Sequence, residues 1–176
     1  TATGKSRIAV DLSRKLLDKH GIKSEIINAD SMQVYDELKI LTAQPDLQDK
    51  TLPRHHLYSI ISPQDSMNVV TWNKIATEQI ESLHSEDILP IVVGGTGFYI
   101  NSLIDGPPVA PQVSQQVRDY VKKTFDIYGR DEFYKRLIRI DYRTEDRIEK
   151  NDTHRILRAY EVYEATGRSI FAYADK

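Results

Sequence analysis

The chain has 176 residues, 40% of them hydrophobic and 28% charged, with a formal charge of −2 and no cysteine. That length suits one domain of ordinary size with an appendage, and the composition excludes a disordered chain. Without cysteine there is no disulfide, thiolate metal site or cysteine nucleophile, and the near-neutral charge excludes a generic nucleic-acid binder, so contact with RNA requires a local basic surface.

The chain opens on Thr1-Ala2-Thr3-Gly4-Lys5-Ser6, the back half of a phosphate-binding loop of pattern G-x-x-x-x-G-K-[ST]. In such a loop Gly4 turns backbone N–H groups inward, Lys5 reaches terminal phosphates and Ser6 holds Mg²⁺. Thr1 to Ser6 are therefore the candidate diphosphate or nucleotide site, with Ser6 as metal ligand and Mg²⁺ as cofactor. The first glycine of the pattern and its leading strand would precede Thr1, so a start cut short is expected. A bare G-K-S is common, and its weight comes from the helix that it opens. Ile8, Ala9, Leu12, Leu16 and Leu17 recur at helical spacing over residues 6–20, with Arg7, Asp11, Arg14, Lys15 and Asp18 expected outward. The N-terminal N–H groups and dipole of such a helix favour an anion.

His20-Gly21 stops that helix, and Ser24 to Asp30 reads as a strand ending in a carboxylate. Residues 36–56 read as a surface loop, since Pro45 and Pro53 exclude a long helix. Leu57 to Ile61 is a short strand candidate. A helix over 69–84 has Val69, Trp72, Ile75, Ala76, Ile80 and Leu83 on one side, and the apolar run Ile88 to Val93 suits a strand buried on both faces of a parallel sheet. This alternation predicts a doubly wound parallel α/β sheet over residues 1–106. Pro107, Pro108 and Pro111 mark a boundary. Residues 107–176 then read as a helical appendage: one helix burying Val117, Tyr120, Val121 and Phe125, a second over 131–139, and a third over 152–166 capped by Asn151 or Asp152 and stopped at Gly167. No capping element comes after Lys176, so a truncated end is expected there too. No apolar run approaches the roughly 20 residues that cross a bilayer, and no basic leader precedes one, so a cytoplasmic location without membrane contact is expected.

In an open α/β sheet, ligands lie outside the carboxyl ends of the strands. The phosphate loop, Asp30 and Gly94-Gly95-Thr96-Gly97 would converge there, which suits a kinase or another transfer in which a phosphate group leaves. Each residue also has a plainer reading. Asp30 could cap the next turn, and Thr96 could be a helix N-cap. His55 and His56 invite a metal reading, yet adjacent side chains on a strand diverge and no third ligand is evident. Arg155 and Arg158 could pair with Asp152 and Glu161, and Tyr120, Tyr160 and Tyr163 read as core. Arg143, Arg147, Lys150, His154, Arg155 and Arg158 gather positive charge that Asp141, Glu145, Asp146 and Glu149 dilute.

Thr1 to Ser6, the run Ile26-Ile27-Asn28-Ala29-Asp30-Ser31-Met32-Gln33-Val34-Tyr35, His55-His56-Leu57, Pro90 to Ile100, and Asn151 to Tyr163 together closely resemble the tRNA dimethylallyltransferases. The match runs in order through the whole chain. Within it, Asn28 to Tyr35 and the Gly-Gly-Thr-Gly-x-Tyr segment are specific to that family among phosphate-loop proteins. The resemblance implies a P-loop NTPase-like fold and transfer of the dimethylallyl group from dimethylallyl diphosphate to the exocyclic amine of the adenosine 3′-adjacent to the anticodon. It implies Asp30 as the base, with Thr96 and Lys5 also catalytic. It further implies a tRNA surface of Asp30, Ser31, Met32, Gln33, Thr96, Arg118, His154, Arg155, Ile156, Leu157 and Arg158, which would meet the anticodon stem-loop. A monomer is expected. The rivals are an isopentenyltransferase acting on free adenine nucleotides, a small-molecule kinase, and an inactive RNA-binding fragment. With both ends cut short, these 176 residues alone are expected to have feeble or no activity.

Overall fold

Helix α1, Lys5–His20, begins where Gly4 adopts a left-handed φ of 75° and ends where Gly21 does the same at 66°. The computed structural model describes residues 4–45, 53–108 and 111–173. Thr1, Ala2 and Thr3 therefore lie outside the described residues. The chain divides into two compact units, Thr1–Pro107 and Pro108–Lys176.

In the first unit, strands β1 (Ser24–Asn28), β2 (His55–His56) and β3 (Leu89–Val93) form a parallel sheet in the order β2-β1-β3. Side chains alternate across a strand, and here the alternation sorts the helices. Ile26 packs with Ala9 of α1 and with Ile91 and Val93, whereas its neighbour Ile27 packs with Trp72 and Ala76 of α2 (Val69–Ser85) and with Val92. Helices α1 and α2 thus cover opposite faces, giving the doubly wound P-loop NTPase-like arrangement. Helix α3, Gly97–Asp105, packs on α2. Trp72 is the pivot of the α2 face. It is fully buried, stacks on Tyr99 at a centroid separation of 4.4 Å and donates its indole N–H to the Asn28 carbonyl at 3.2 Å.

In the first unit, three expectations about α1, the strand after residue 53 and β3 need correction. The buried stripe of α1 is Ala9 and Ser13, with Leu16 half-buried; Ile8, Leu12 and Leu17 are exposed. The helix is docked by polar contact, because the Ser13 and Ser24 hydroxyls bond at 2.8 Å. The strand expected at Leu57 to Ile61 is instead His55–His56: Leu57 and Ser59 take positive φ of 62° and 50°, which no strand sustains. Finally, β3 is an edge strand among the described residues, so it is half-buried and Leu89 is exposed.

The second unit is helical. Helix α4, Gln115–Ile140, is broken at Gly129 (φ 71°, ψ 165°), and α5, Thr153–Thr166, is capped by the Asp152 carboxylate and closed by Gly167. Its core is Val121, Phe133, Tyr134, Leu137, Ile148, Ile156 and Ala159. Tyr120, expected inside, is 52% exposed. No helix among the described residues is long and apolar enough to cross a membrane.

Candidate functional site

The contacts of α1 fix which end of the sheet its N-terminus occupies. Ser13 bonds Ser24 at the start of β1, and Ala9 packs on Ile26 further along, so helix and strand run antiparallel. Eight helical residues at about 1.5 Å each raise Lys5 about 12 Å above Ser13. About four strand residues at about 3.3 Å each cover the same rise from Ser24, which brings Lys5 level with Asn28. Gly4, Lys5 and Ser6 therefore stand at the same end of the sheet as Asp30. No side chain among the described residues caps α1, and the N–H groups of its first turn point toward that end.

Asp30 and Thr96 are brought together by two strand exits. The Thr96 N–H donates to the Ala29 carbonyl at 3.0 Å. The Thr96 hydroxyl accepts the Ser31 N–H at 2.8 Å and donates to the Ser31 hydroxyl at 3.1 Å. Thr96 does occupy the N-cap position of α3, yet its side chain makes no cap bond, being committed to Ser31. Asp30 does brace the next turn, since its Oδ1 accepts the Met32 N–H at 2.9 Å. The Met32 N–H is held by Oδ1 and not by Oδ2. Burial, reinforced by the Asp30 carboxylate, pushes the Tyr58 hydroxyl up to about 12. Burial, then Tyr35 and Asp30, raises Tyr99 as well. Both phenols stay protonated at neutral pH.

Other sequence candidates are placed less favourably. Gln33 is buried, and its amide donates to the Thr42 and Ala43 carbonyls at 2.8 and 3.2 Å, so its side chain holds a turn. Ile156 is fully buried in the second unit's core, and Leu157 packs against that core. The Arg158 guanidinium bonds the Pro111 carbonyl at 3.0 Å and pairs with Glu161 at 3.4 Å, a structural commitment. Arg155 pairs with Asp152 at 3.2 Å but is exposed, as are His154, Arg118 and Met32. His56 bonds Glu25 at 2.5 Å, and the His55 ring meets Tyr58 edge-on at 5.6 Å.

No group of three or more His, Asp or Glu among the described residues could hold a metal ion, and the first turn of α1 has no acidic residue. A cation here would take the Ser6 hydroxyl plus phosphate oxygens and water, a donor set that suits Mg²⁺ arriving with its substrate. Sequence reasoning missed Asn28, which is fully buried and bonded to both backbone groups of Asp30. A polar residue directly after the apolar pair Ile26-Ile27, two places before the carboxylate, was the signal that could have found it.

A sequence model of the IPP transferase family matches residues 33–176. The chain is similar to the tRNA dimethylallyltransferase of Pelagibacter ubique (strain HTCC1062), 39% identical over 176 residues, covering all of this chain and 54% of that protein. It is also similar to the tRNA dimethylallyltransferase of Ehrlichia canis (strain Jake), 42% identical over 173 residues, covering 98% of this chain and 55% of that one. Among solved structures, a eukaryotic dimethylallyltransferase acting on tRNA superposes with a TM-score of 0.77 at 26% identity, covering all of this chain and 42% of that one. The chain spans about half the length of the curated relatives it matches.

Proposed function

The chain belongs to the IPP transferase family, and on that footing we propose that its protein transfers the dimethylallyl group of dimethylallyl diphosphate to the exocyclic amine of the adenosine 3′-adjacent to the anticodon of tRNA. The observation that carries this reading is the common location of the α1 N-terminus, Asp30 and Thr96 at one end of the sheet. An adenine amine is a poor nucleophile because its lone pair is spread into the ring. As its nitrogen bonds the first carbon of the dimethylallyl group, the carbon–oxygen bond to diphosphate breaks and its electron pair leaves with diphosphate. The amine proton passes to the Asp30 carboxylate, and a positioned base of this kind contributes about 10²–10⁴-fold. Lys5 and the first-turn N–H groups of α1 compensate the departing charge. Ser6 would hold Mg²⁺ together with diphosphate oxygens, where the ion would neutralise further charge on the leaving group.

The Thr96 hydroxyl, already bound to Ser31, lies beside the target base, which must be drawn out of its stack to react. Ser31, Met32, Arg118, His154 and Arg155 are the residues left to face tRNA. The names of the relatives support tRNA over free nucleotides or a kinase substrate, and a tRNA substrate fits a cytoplasmic location. The test is incubation of the whole protein with labelled dimethylallyl diphosphate and either tRNA or AMP, with ATP turnover monitored in parallel. Label is expected on tRNA adenosine alone. Label on AMP, or ATP turnover without prenyl transfer, would overturn the reading.

A further inference from the structure

Asn28, the last residue of β1, is fully buried, and a buried amide has to satisfy both its donor and acceptor sides. Its Oδ1 accepts the Asp30 N–H at 2.9 Å, while its Nδ2 donates to the Asp30 carbonyl at 3.1 Å and the Leu57 carbonyl at 3.0 Å. One side chain thus grips both backbone polar groups of the residue two places on and ties them to the segment after β2. Trp72 holds Asn28 in turn through the Asn28 carbonyl, at 3.2 Å.

The clamp leaves the two carboxylate oxygens of Asp30 unequal. Oδ1 is engaged by the Met32 N–H at 2.9 Å. Oδ2 sits in the opening left by Gly95: a Cβ at that position would lie 2.9 Å from Oδ2 and 4.0 Å from Cγ of Asp30, and would meet nothing else within 4 Å. The missing side chain at Gly95 therefore makes room for Oδ2 and for nothing else nearby.

We propose that Asn28 is a positioning residue for proton transfer, holding Asp30 so that Oδ2, in the space kept open by Gly95, is the oxygen that takes the proton of the substrate amine. The inference rests on the reading of Asp30 as base and adds which oxygen acts and what aims it. A purely structural Asn28 would stabilise the strand exit without acting on the rate through Asp30.

The test is a pair of mutant cycles on prenyl transfer to tRNA, with Asn28→Ala and Gly95→Ala each made alone and in an Asp30→Ala background, at a temperature where circular dichroism shows every variant folded. Each single variant is expected to lower kcat at least tenfold while KM for dimethylallyl diphosphate stays within twofold, since the donor binds at α1. In the Asp30→Ala background neither should cost more than twofold further, because both act through the same carboxylate. Should Asn28→Ala not fold, Asn28→Ser, which keeps an acceptor but cannot span both carbonyls, takes its place. An unchanged kcat in Asn28→Ala or Gly95→Ala, or losses that multiply in full on Asp30→Ala, would overturn the inference while the base assignment stands. An unchanged kcat in Asp30→Ala would overturn both.

Discussion

Gly94 is the point where the two strand exits touch, and Gly94→Ala tests how tightly they are joined. A Cβ there would lie 2.1 Å from the carbonyl carbon and oxygen of Ala29 and 2.6 Å from the Asp30 nitrogen, all backbone atoms that no side-chain rotation can clear. Carbon atoms pack at about 3.5–4.0 Å, so the ends of β1 and β3 must part by more than an ångström. That movement breaks the bonds from Ala29 N–H to the Val93 carbonyl at 2.8 Å and from Thr96 N–H to the Ala29 carbonyl at 3.0 Å. Two such bonds at about 0.5–1.5 kcal/mol each, plus about 1–3 kcal/mol for overpacking, predict a loss of about 2–6 kcal/mol. The assay is urea unfolding monitored by the fluorescence of Trp72, the single tryptophan, which lies in the first unit. With a urea slope of about 1–3 kcal/mol/M, the midpoint should fall by about 0.7 M or more. A midpoint within about 0.2 M of the parent at an unchanged slope would refute the close approach of the two strand exits.

Burial holds the His55 pKa below its ordinary 6.5, with the neighbouring His56 adding to the effect and a bond at Pro53 opposing it. The unfolded chain therefore takes up the proton first as pH falls through 6.5, and the first unit should lose stability below that pH; His55→Gln should flatten this part of the urea-midpoint profile, and an unaltered slope would count against it. In the second unit, Gly129 has φ 71° and ψ 165°, a conformation open essentially to glycine alone. Gly129→Ala should lower that unit's stability by about 1–3 kcal/mol, read from helical circular dichroism during denaturation, and a neutral result would contradict the break in α4.

The residues that meet at this end of the sheet were legible because their signals are local. Gly4-Lys5-Ser6 announces a helix start, Asp30 follows the end of β1 by two residues, and Gly94-Gly95-Thr96 follows β3, each visible in a few consecutive residues. What escaped depends on docking. Ile8, Leu12 and Leu17 look like a buried stripe, but the hydroxyl pair of Ser13 and Ser24 turns a different face of α1 to the sheet. The positive φ at Leu57 and Ser59 is imposed by tertiary structure on residues that favour strands locally, so the strand shifted to His55–His56. The burial of Gln33 and Ile156 follows from packing partners distant in sequence, which no short stretch reveals. Asn28 acts through bonds to Asp30, Leu57 and Trp72, and no short window of sequence contains all three partners.

The central claim is that the Asp30 carboxylate takes the substrate's proton. Asp30→Asn keeps an oxygen for the Met32 N–H and removes the charge, so single-turnover prenyl transfer beside tRNA-binding affinity separates chemistry from recognition. The account predicts tRNA affinity within a few-fold of the parent and a rate lower by about 10²–10⁴-fold. A parental rate in Asp30→Asn would contradict it.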